Sequence, residues 1–198
     1  MNKRTPVCLV LKSAVLLVTL LCVFPLFATN PQKKEMKELN VKKVSLANVA
    51  VENIPALLDK EKVAFQSINT VNWKAFPYQP EVQFRIAHTD DAILVHYKVK
   101  EASVRAVAAG DNGAVWEDAC VEFFSIPAGD GIYYNVECNC AGTLLIGAGA
   151  GRENREHAPQ EVMDKVQRWS SLGRQSFEER VGAVSYTHLR AHETGRNL

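Results

Sequence analysis

Hydrophobic and polar residues alternate along the middle of this chain with the period of two that is typical of β-strands. Two such runs flank the polar turn Thr89-Asp90-Asp91 and predict a β-hairpin with one packed face. Further runs follow after turns rich in glycine. The predicted strands span residues 82–88, 93–99, 119–126, 132–140 and 143–146. Closely spaced strands with short turns predict an all-β fold, an antiparallel β-sandwich of the jelly-roll type.

The strand predicted over residues 132–140 has one apolar face and one polar face. Its apolar face consists of Ile132, Tyr134, Val136, Cys138 and Cys140. Its other face consists of Tyr133, Asn135, Glu137 and Asn139. Asparagine is depleted from strands, so a row of amides and carboxylates needs more than solvation to explain it. We interpret this row as a hydrogen-bonding surface, open to solvent, that binds a sugar.

Short helices are predicted on both sides of the strand region. The first spans residues 54–62, where Pro55 suits the first turn, and the second spans residues 159–169, with Trp169 on its apolar side. Residues 147–151 alternate glycine and alanine without the spacing of a nucleotide-binding fingerprint, so we expect a flexible loop there. Trp73 and Trp169 are expected to pack in the core, because large aromatic side chains are mostly buried.

The first 28 residues have the pattern of a signal peptide. Lys3, Arg4 and Lys12 precede an apolar run that is free of acidic residues, and Ala28 closes it. The run is too short for a membrane-spanning helix, so we expect cleavage and export to the periplasm, the cell surface or the medium, without membrane insertion. Residues 29–43 are polar and rich in lysine, and are predicted to be a linker. The binding domain is then predicted over residues 44–183.

Charge and cysteine content narrow the classes of partner. The net charge is +1 for the whole chain and −2 once the leader with its three basic residues is removed. This balance excludes nucleic acid as a partner, because nucleic acid requires a basic patch. Cys120, Cys138 and Cys140 remain in the mature chain. They lie in apolar strand segments, which favours buried free thiols over a disulfide.

Four segments occur in an order that resembles the family 9 carbohydrate-binding modules, in particular the stand-alone exported family 9-like proteins of Bacteroidota. They are Asn72-Trp73, residues 84–88, residues 116–124 and residues 133–139. The most specific is Trp-x-Asp-x-x-Val-Glu-x-Phe, which begins at Trp116, and the resemblance covers about residues 36–183. It implies a β-sandwich that holds the ends of oligosaccharides or polysaccharides between aromatic rings in the service of polysaccharide breakdown. It implies no required cofactor, and some members carry structural calcium ions.

The resemblance also assigns roles to single positions. Trp116 is expected to be one aromatic wall, Glu122 a hydrogen-bonding carboxylate and Asn139 a further polar group of the site floor. Glu137 departs from the xylanase-linked members, which have an arginine there. The strand pattern adds Tyr133 and Asn135 to the candidate site, and Arg85 is predicted to extend the polar floor.

Residues 184–198 show no clear amphipathic period at a place where the family has another core strand. They resemble translated adaptor sequence, so we expect a non-native tail and a sandwich that is truncated at its C-terminal end.

Other functions were weighed against sugar binding. A glycoside hydrolase needs two carboxylates across a cleft, and Glu117, Asp118, Glu122 and Glu137 are available. A thiol hydrolase using Cys120 is disfavoured because the cysteine lies within a strand. A zinc site from the three cysteines lacks an evident fourth ligand. A purely structural or protein-docking envelope domain is the remaining alternative.

Overall fold

The computed structural model describes residues 38–45 and 49–193 of the chain. The strands in this part are β1 (Lys42–Lys43), β2 (Gln66–Ile68), β3 (Glu81–His88), β4 (Ala92–Ala106), β5 (Cys120–Ser125), β6 (Tyr133–Asn139), β7 (Leu144–Gly149), β8 (Glu156–His157), β9 (Gln167–Ser170) and β10 (Phe177–Glu193). The α-helices are α1 (Ile54–Lys60) and α2 (Gln160–Met163), and single 3₁₀ turns span Val51–Asn53 and Val115–Glu117.

The strands form two sheets, which confirms the predicted all-β sandwich. The larger sheet has the order β1-β3-β4-β10-β9, and β2 pairs with the same edge of β3 as β1. The smaller sheet has the order β5-β6-β7-β8, with antiparallel pairing throughout. The β3–β4 pair is the hairpin that the alternating pattern predicts.

Apolar side chains fill the space between the sheets. One cluster joins β4 residues such as Tyr97 and Val99 to Cys140 and Val121 of the smaller sheet. A second cluster packs the apolar side of β6 and β7 against Met163 of α2. The Tyr97 hydroxyl also donates a hydrogen bond to the Glu122 carbonyl oxygen across the sandwich, at 3.2 Å. The predicted apolar side of β6 is therefore its core side.

Helix α1 confirms the first predicted helix, whereas the second was predicted too long. The helical backbone ends at Met163, and Trp169 lies in β9, where its backbone pairs with Leu189 of β10. Residues 162, 166 and 169 fit a helical period, but pairing with β10 fixes the last of them in extended backbone. The glycine-rich residues 147–149 likewise extend β7 instead of forming a loop.

Trp73 was predicted to pack in the core, and this is wrong. It lies in the coil between β2 and β3 and is 71% exposed. This coil lies outside both sheets and is tied to β4 by a hydrogen bond from the Ala102 amide to the Tyr78 hydroxyl, at 2.9 Å.

The predicted boundaries at the two ends are only partly within the described residues. The predicted signal peptide lies outside them, but Lys42 and Lys43, at the end of the predicted linker, pair with β3. Residues 184–193 form a strand despite their irregular pattern, because their backbone pairs with the edge of β4 from Glu101 to Ala92. That residues 184–198 are non-native stays a prediction. Neither helix in the described residues has the length and apolar character that crossing a bilayer requires.

Candidate functional site

The side of the smaller sheet that faces away from the apolar clusters carries most of the predicted site residues, and we call it the polar face. Residues directly opposite each other in an antiparallel pair point to the same side of the sheet. Glu122 of β5 pairs with Glu137 of β6, and Phe124 pairs with Asn135. Tyr133 has the same parity as Asn135 and Glu137, so it belongs to the same face. The fold therefore brings together Tyr133, Asn135, Glu137 and Glu122, as the strand pattern predicts.

The centre of the polar face is buried, which corrects the prediction of a row open to solvent. Asn135 is 1% exposed and Glu137 is 4% exposed. The Asn135 amide nitrogen Nδ2 donates a hydrogen bond to Glu137 Oε1 at 2.6 Å. Asn135 Oδ1 and Glu137 Oε2 have no hydrogen-bond partner. Each such unpaired buried group costs about 1 to 3 kcal/mol, so this arrangement is one that a ligand with hydrogen-bond donors would relieve.

Glu122 lies at the exposed end of this group, and its pKa is raised. The main cause is its partial burial, and the second is the negative charge of Glu137 on the neighbouring strand. Arg155 and Arg152 oppose the shift with their positive charges. The polar face thus holds two adjacent carboxylates with two guanidinium groups nearby.

The arginines belong to the segment between β7 and β8, which lies over the glycines of β7. A Cβ atom at Gly149 would lie 2.8 Å from the Asn154 carbonyl oxygen, and one at Gly147 would lie 3.4 Å from Arg155 Cβ. Since Gly147 pairs with Asn135, the Arg155 side chain covers the sheet beside this amide. Its guanidinium carbon lies 5.9 Å from the centre of the Tyr133 ring. Gly147 and Gly149 therefore leave room for the segment between β7 and β8, which we call the cover and which lies over the sheet beside Asn135.

Exposed aromatic side chains belong to β5 and to the turn that precedes it. Phe124 is 54% exposed, and its ring centre lies 6.1 Å from that of Tyr133. Trp116 lies in the 3₁₀ turn just before β5 and is 55% exposed. Both the exposed indole and the exposed phenyl ring are suited to stack on the apolar face of a pyranose ring.

Asn139 has a different role from the predicted one. Its Oδ1 accepts hydrogen bonds from the Ala141 and Thr143 amides at 3.1 and 2.8 Å. Its Nδ2 donates to Asp118 Oδ2 at 2.8 Å. The prediction that Asn139 lines the floor is corrected, because both polar atoms of its buried side chain already have partners in the turn.

Asp118 completes this turn and anchors the segment that carries Trp116. Its carboxylate accepts hydrogen bonds from the backbone amides of Val107 and Ala108 at 2.9 and 3.0 Å. Together with the bond from Asn139, these contacts fix the end of the 3₁₀ turn two residues after the indole. Asp118 is therefore a positioning residue for Trp116 and is not free to act as an acid or base.

Arg85 was predicted to extend the polar floor, and this is wrong. It lies on β3 in the other sheet and is 3% exposed. Its guanidinium group donates to Asp59 Oδ1 at 2.6 Å, to the Pro55 carbonyl oxygen at 2.9 Å and to His96 Nδ1 at 3.0 Å. Arg85 therefore joins helix α1 to the larger sheet. Burial and the adjacent Arg85 charge lower the pKa of His96 to about 3, so this histidine is neutral.

The three cysteines are free thiols, as the sequence favours. Burial raises the pKa of Cys120 and of Cys140 to about 12, so neither is an activated nucleophile. Within residues 38–45 and 49–193, no cluster of three or more histidine, cysteine, aspartate or glutamate side chains could hold a metal ion.

Sequence reasoning missed Phe124 and Arg155. Phe124 had a usable signal, since it follows Glu122 by two residues and so shares its face. Arg155 had none, because its position over β7 depends on how the segment after the strand folds back.

Comparison with known proteins adds three findings to this geometry. A model of carbohydrate-binding family 9 matches residues 52–189. The chain is also similar to a candidate carbohydrate-binding protein from Bacteroides uniformis ATCC 8492 of known crystal structure, with 58% sequence identity and a TM-score of 0.77. The similarity covers 80% of this chain and 73% of that one. No curated protein matches the chain.

Proposed function

Since this chain belongs to carbohydrate-binding family 9, we propose that it is an exported, non-catalytic protein that holds the end of a glycan chain on the polar face of its smaller sheet. The observation that carries the proposal is the pair of buried, unpartnered acceptors Asn135 Oδ1 and Glu137 Oε2 in a face that also carries the exposed Phe124 ring. A sugar offers both complements of such a site: hydroxyl donors around its rim and apolar C–H faces.

The roles divide between stacking and hydrogen bonding. Trp116 stacks on a pyranose ring, and Phe124 with Tyr133 forms a second aromatic contact. Glu122, Asn135 and Glu137 accept hydrogen bonds from the sugar hydroxyls. Carboxylate acceptors form shorter and stronger hydrogen bonds than neutral ones, so they contribute most to orientation.

Binding fits the carboxylate geometry better than hydrolysis does. A glycosidase places its two carboxylates about 5 to 10 Å apart on opposite sides of the scissile bond. Glu122 and Glu137 are direct cross-strand partners that point to the same side of one sheet. They therefore approach a ligand from one direction, as binding groups do.

The proposed site gives modest affinity. Sugar hydroxyls are well hydrated, and each exchanged hydrogen bond contributes little net free energy. We expect dissociation constants of roughly 10 μM to 1 mM. Such values suit a protein of the periplasm or cell surface that retains polysaccharide fragments while other proteins degrade them.

Affinity electrophoresis on a panel of soluble polysaccharides tests the proposal. Trp116→Ala is expected to abolish retention without unfolding the protein, because the indole is half exposed. Trp73→Ala is the matched control, since it removes an indole that is also exposed, from the coil between β2 and β3. Unchanged retention of the Trp116→Ala protein, or equal loss in the control, would contradict the proposed site.

A reducing-sugar assay distinguishes binding from cleavage. We expect no sugar release from any polysaccharide that the protein retains. Release that disappears in the Glu122→Gln and Glu137→Gln variants would favour a glycoside hydrolase instead.

A further inference from the structure

The polar face has an excess of buried acceptors over donors. Asn135 and Glu137 together present three acceptor oxygens and one amide nitrogen, and one of the two hydrogens on Asn135 Nδ2 is already bonded to Glu137 Oε1. The two oxygens that remain are both buried and unpartnered. A ligand that satisfies both oxygens must donate two hydrogen bonds, and these two side chains have one amide hydrogen left to donate in return.

The face also holds two adjacent negative charges at this point. Glu137 lies directly opposite Glu122, so two carboxylates share one short stretch of the sheet. In the described part of the chain, neither carboxylate forms an ion pair, and the nearby guanidinium group of Arg155 lies over the Tyr133 ring instead. Adjacent like charges raise the free energy of the site, and a cation between them lowers it.

We propose that Glu122, Glu137 and Asn135 receive the ammonium group of an amino sugar, so that the site prefers glycans with free amines to neutral or N-acetylated ones. This inference rests on the proposed function, whose ligand class it narrows.

An ammonium group fits this set of atoms better than the other donors do. It carries three donors and a positive charge, whereas a sugar hydroxyl brings one donor and no charge to set against the two carboxylates. N-acetylation removes the positive charge and adds bulk in a covered site. A divalent metal ion would find only two carboxylates here, since the described residues hold no cluster of three or more histidine, cysteine, aspartate or glutamate side chains.

Access to the two oxygens requires the cover to move. The Arg155 side chain lies over Gly147 beside Asn135, and its guanidinium group carries the same charge as the proposed ligand group. An arriving ammonium group therefore displaces Arg155 from the face. The Arg155 guanidinium group thus leaves the Tyr133 ring, and the ammonium group of the ligand takes a place between the Glu122 and Glu137 carboxylates.

Isothermal titration calorimetry with tetrasaccharides of chitosan, chitin and cellulose tests the inference, since these three share one linkage and differ at a single substituent. At about pH 6 the amine is charged. We expect the chitosan tetrasaccharide to bind about tenfold more tightly than the other two. Glu137→Gln and the more exposed Glu122→Gln should each reduce this preference to about twofold or less. Glu52→Gln removes an equal charge from an exposed turn and should leave the preference unchanged.

Two results overturn the inference. One is binding of the chitosan tetrasaccharide that is no tighter than binding of the neutral ones, and the other is a preference that survives both glutamine variants. If any neutral glycan of a wider panel still binds through Trp116, only the amino-sugar preference is refuted. If no glycan of that panel binds, the proposed function is refuted as well.

Discussion

Replacing Glu137 with glutamine is expected to stabilise the ligand-free protein. The carboxylate is 4% exposed, accepts one hydrogen bond from Asn135, and has its second oxygen unpartnered opposite Glu122. Glutamine has nearly the same shape and still accepts the Asn135 bond. It removes the buried charge and offers a donor to Asn135 Oδ1 or to Glu122. The substitution thus removes the buried charge and provides a donor for an unpartnered oxygen atom, and it leaves no cavity.

The expected gain in the free energy of unfolding is the difference between two opposing contributions. The penalty for burying an ion is several kcal/mol, but nearby dipoles and Arg155 offset much of it in the native protein. A net gain of about 1 to 2 kcal/mol remains, which is the usual range for relieving a strained functional site. For a domain of this size, that gain raises the melting temperature by about 4 °C.

The stability gained by the Glu137→Gln substitution should increase with pH. The pKa of Glu122 is raised in the folded protein, first by burial and second by Glu137. A raised carboxyl pKa contributes stability that is present below the unfolded value and is lost as the pH rises through the folded value. Glutamine at 137 removes the second cause. The stability difference between variant and native protein should therefore widen from about pH 4 to about pH 7.

Urea unfolding at several pH values, followed by circular dichroism, measures this difference directly. Glu52→Gln controls for the loss of one surface charge and should change stability by less than about 0.5 kcal/mol. A Glu137→Gln protein that is less stable than the native one by 1 kcal/mol or more would refute the reasoning, because it would show that the carboxylate has strong native partners.

Three further predictions concern Arg85, Asp118 and Cys120. Arg85→Met should lower the free energy of unfolding by about 2 kcal/mol, because it leaves the buried His96 Nδ1 without a donor, and urea titration measures this loss. Asp118→Asn should cost about 2 kcal/mol and weaken glycan retention, since an amide cannot accept all three bonds to the turn; thermal melting and affinity electrophoresis check both effects. Cys120, with its pKa raised to about 12, should react slowly with iodoacetamide at about pH 8 in the folded protein and quickly in urea, as mass spectrometry would show.

The strands of the sandwich were accessible to sequence reasoning because the evidence for them is local. Alternation over residues 82–88 and 93–99 reflects which side of each strand meets the core, and turn residues mark where the chain reverses. The side assignments in β6 were correct for the same reason. Parity along a strand follows from its backbone geometry and needs no knowledge of the neighbours.

Burial and pairing at longer range were not accessible in this way. Trp169 fits a helical period, yet its backbone is extended because β10 pairs with it. Arg85 has the parity of a surface residue, but helix α1, whose Asp59 lies 26 residues earlier, packs over it and buries its side chain. These outcomes depend on contacts between distant segments, which no pattern in the local sequence records.

Asn135 and Glu137 of β6 show how such long-range contacts bear on the proposed function. Parity places Asn135 and Glu137 on the side away from the core, where a single sheet would leave them in water. The glycines of β7 allow the Arg155 segment to lie against that side, and the row becomes buried without gaining partners for all of its atoms. In a site shielded from water, hydrogen bonds and charges act more strongly than at an open surface. In the proposed function, the cover that lowers the stability of the empty site therefore increases the selectivity of the occupied one, and the glycines of β7 are what make room for that cover.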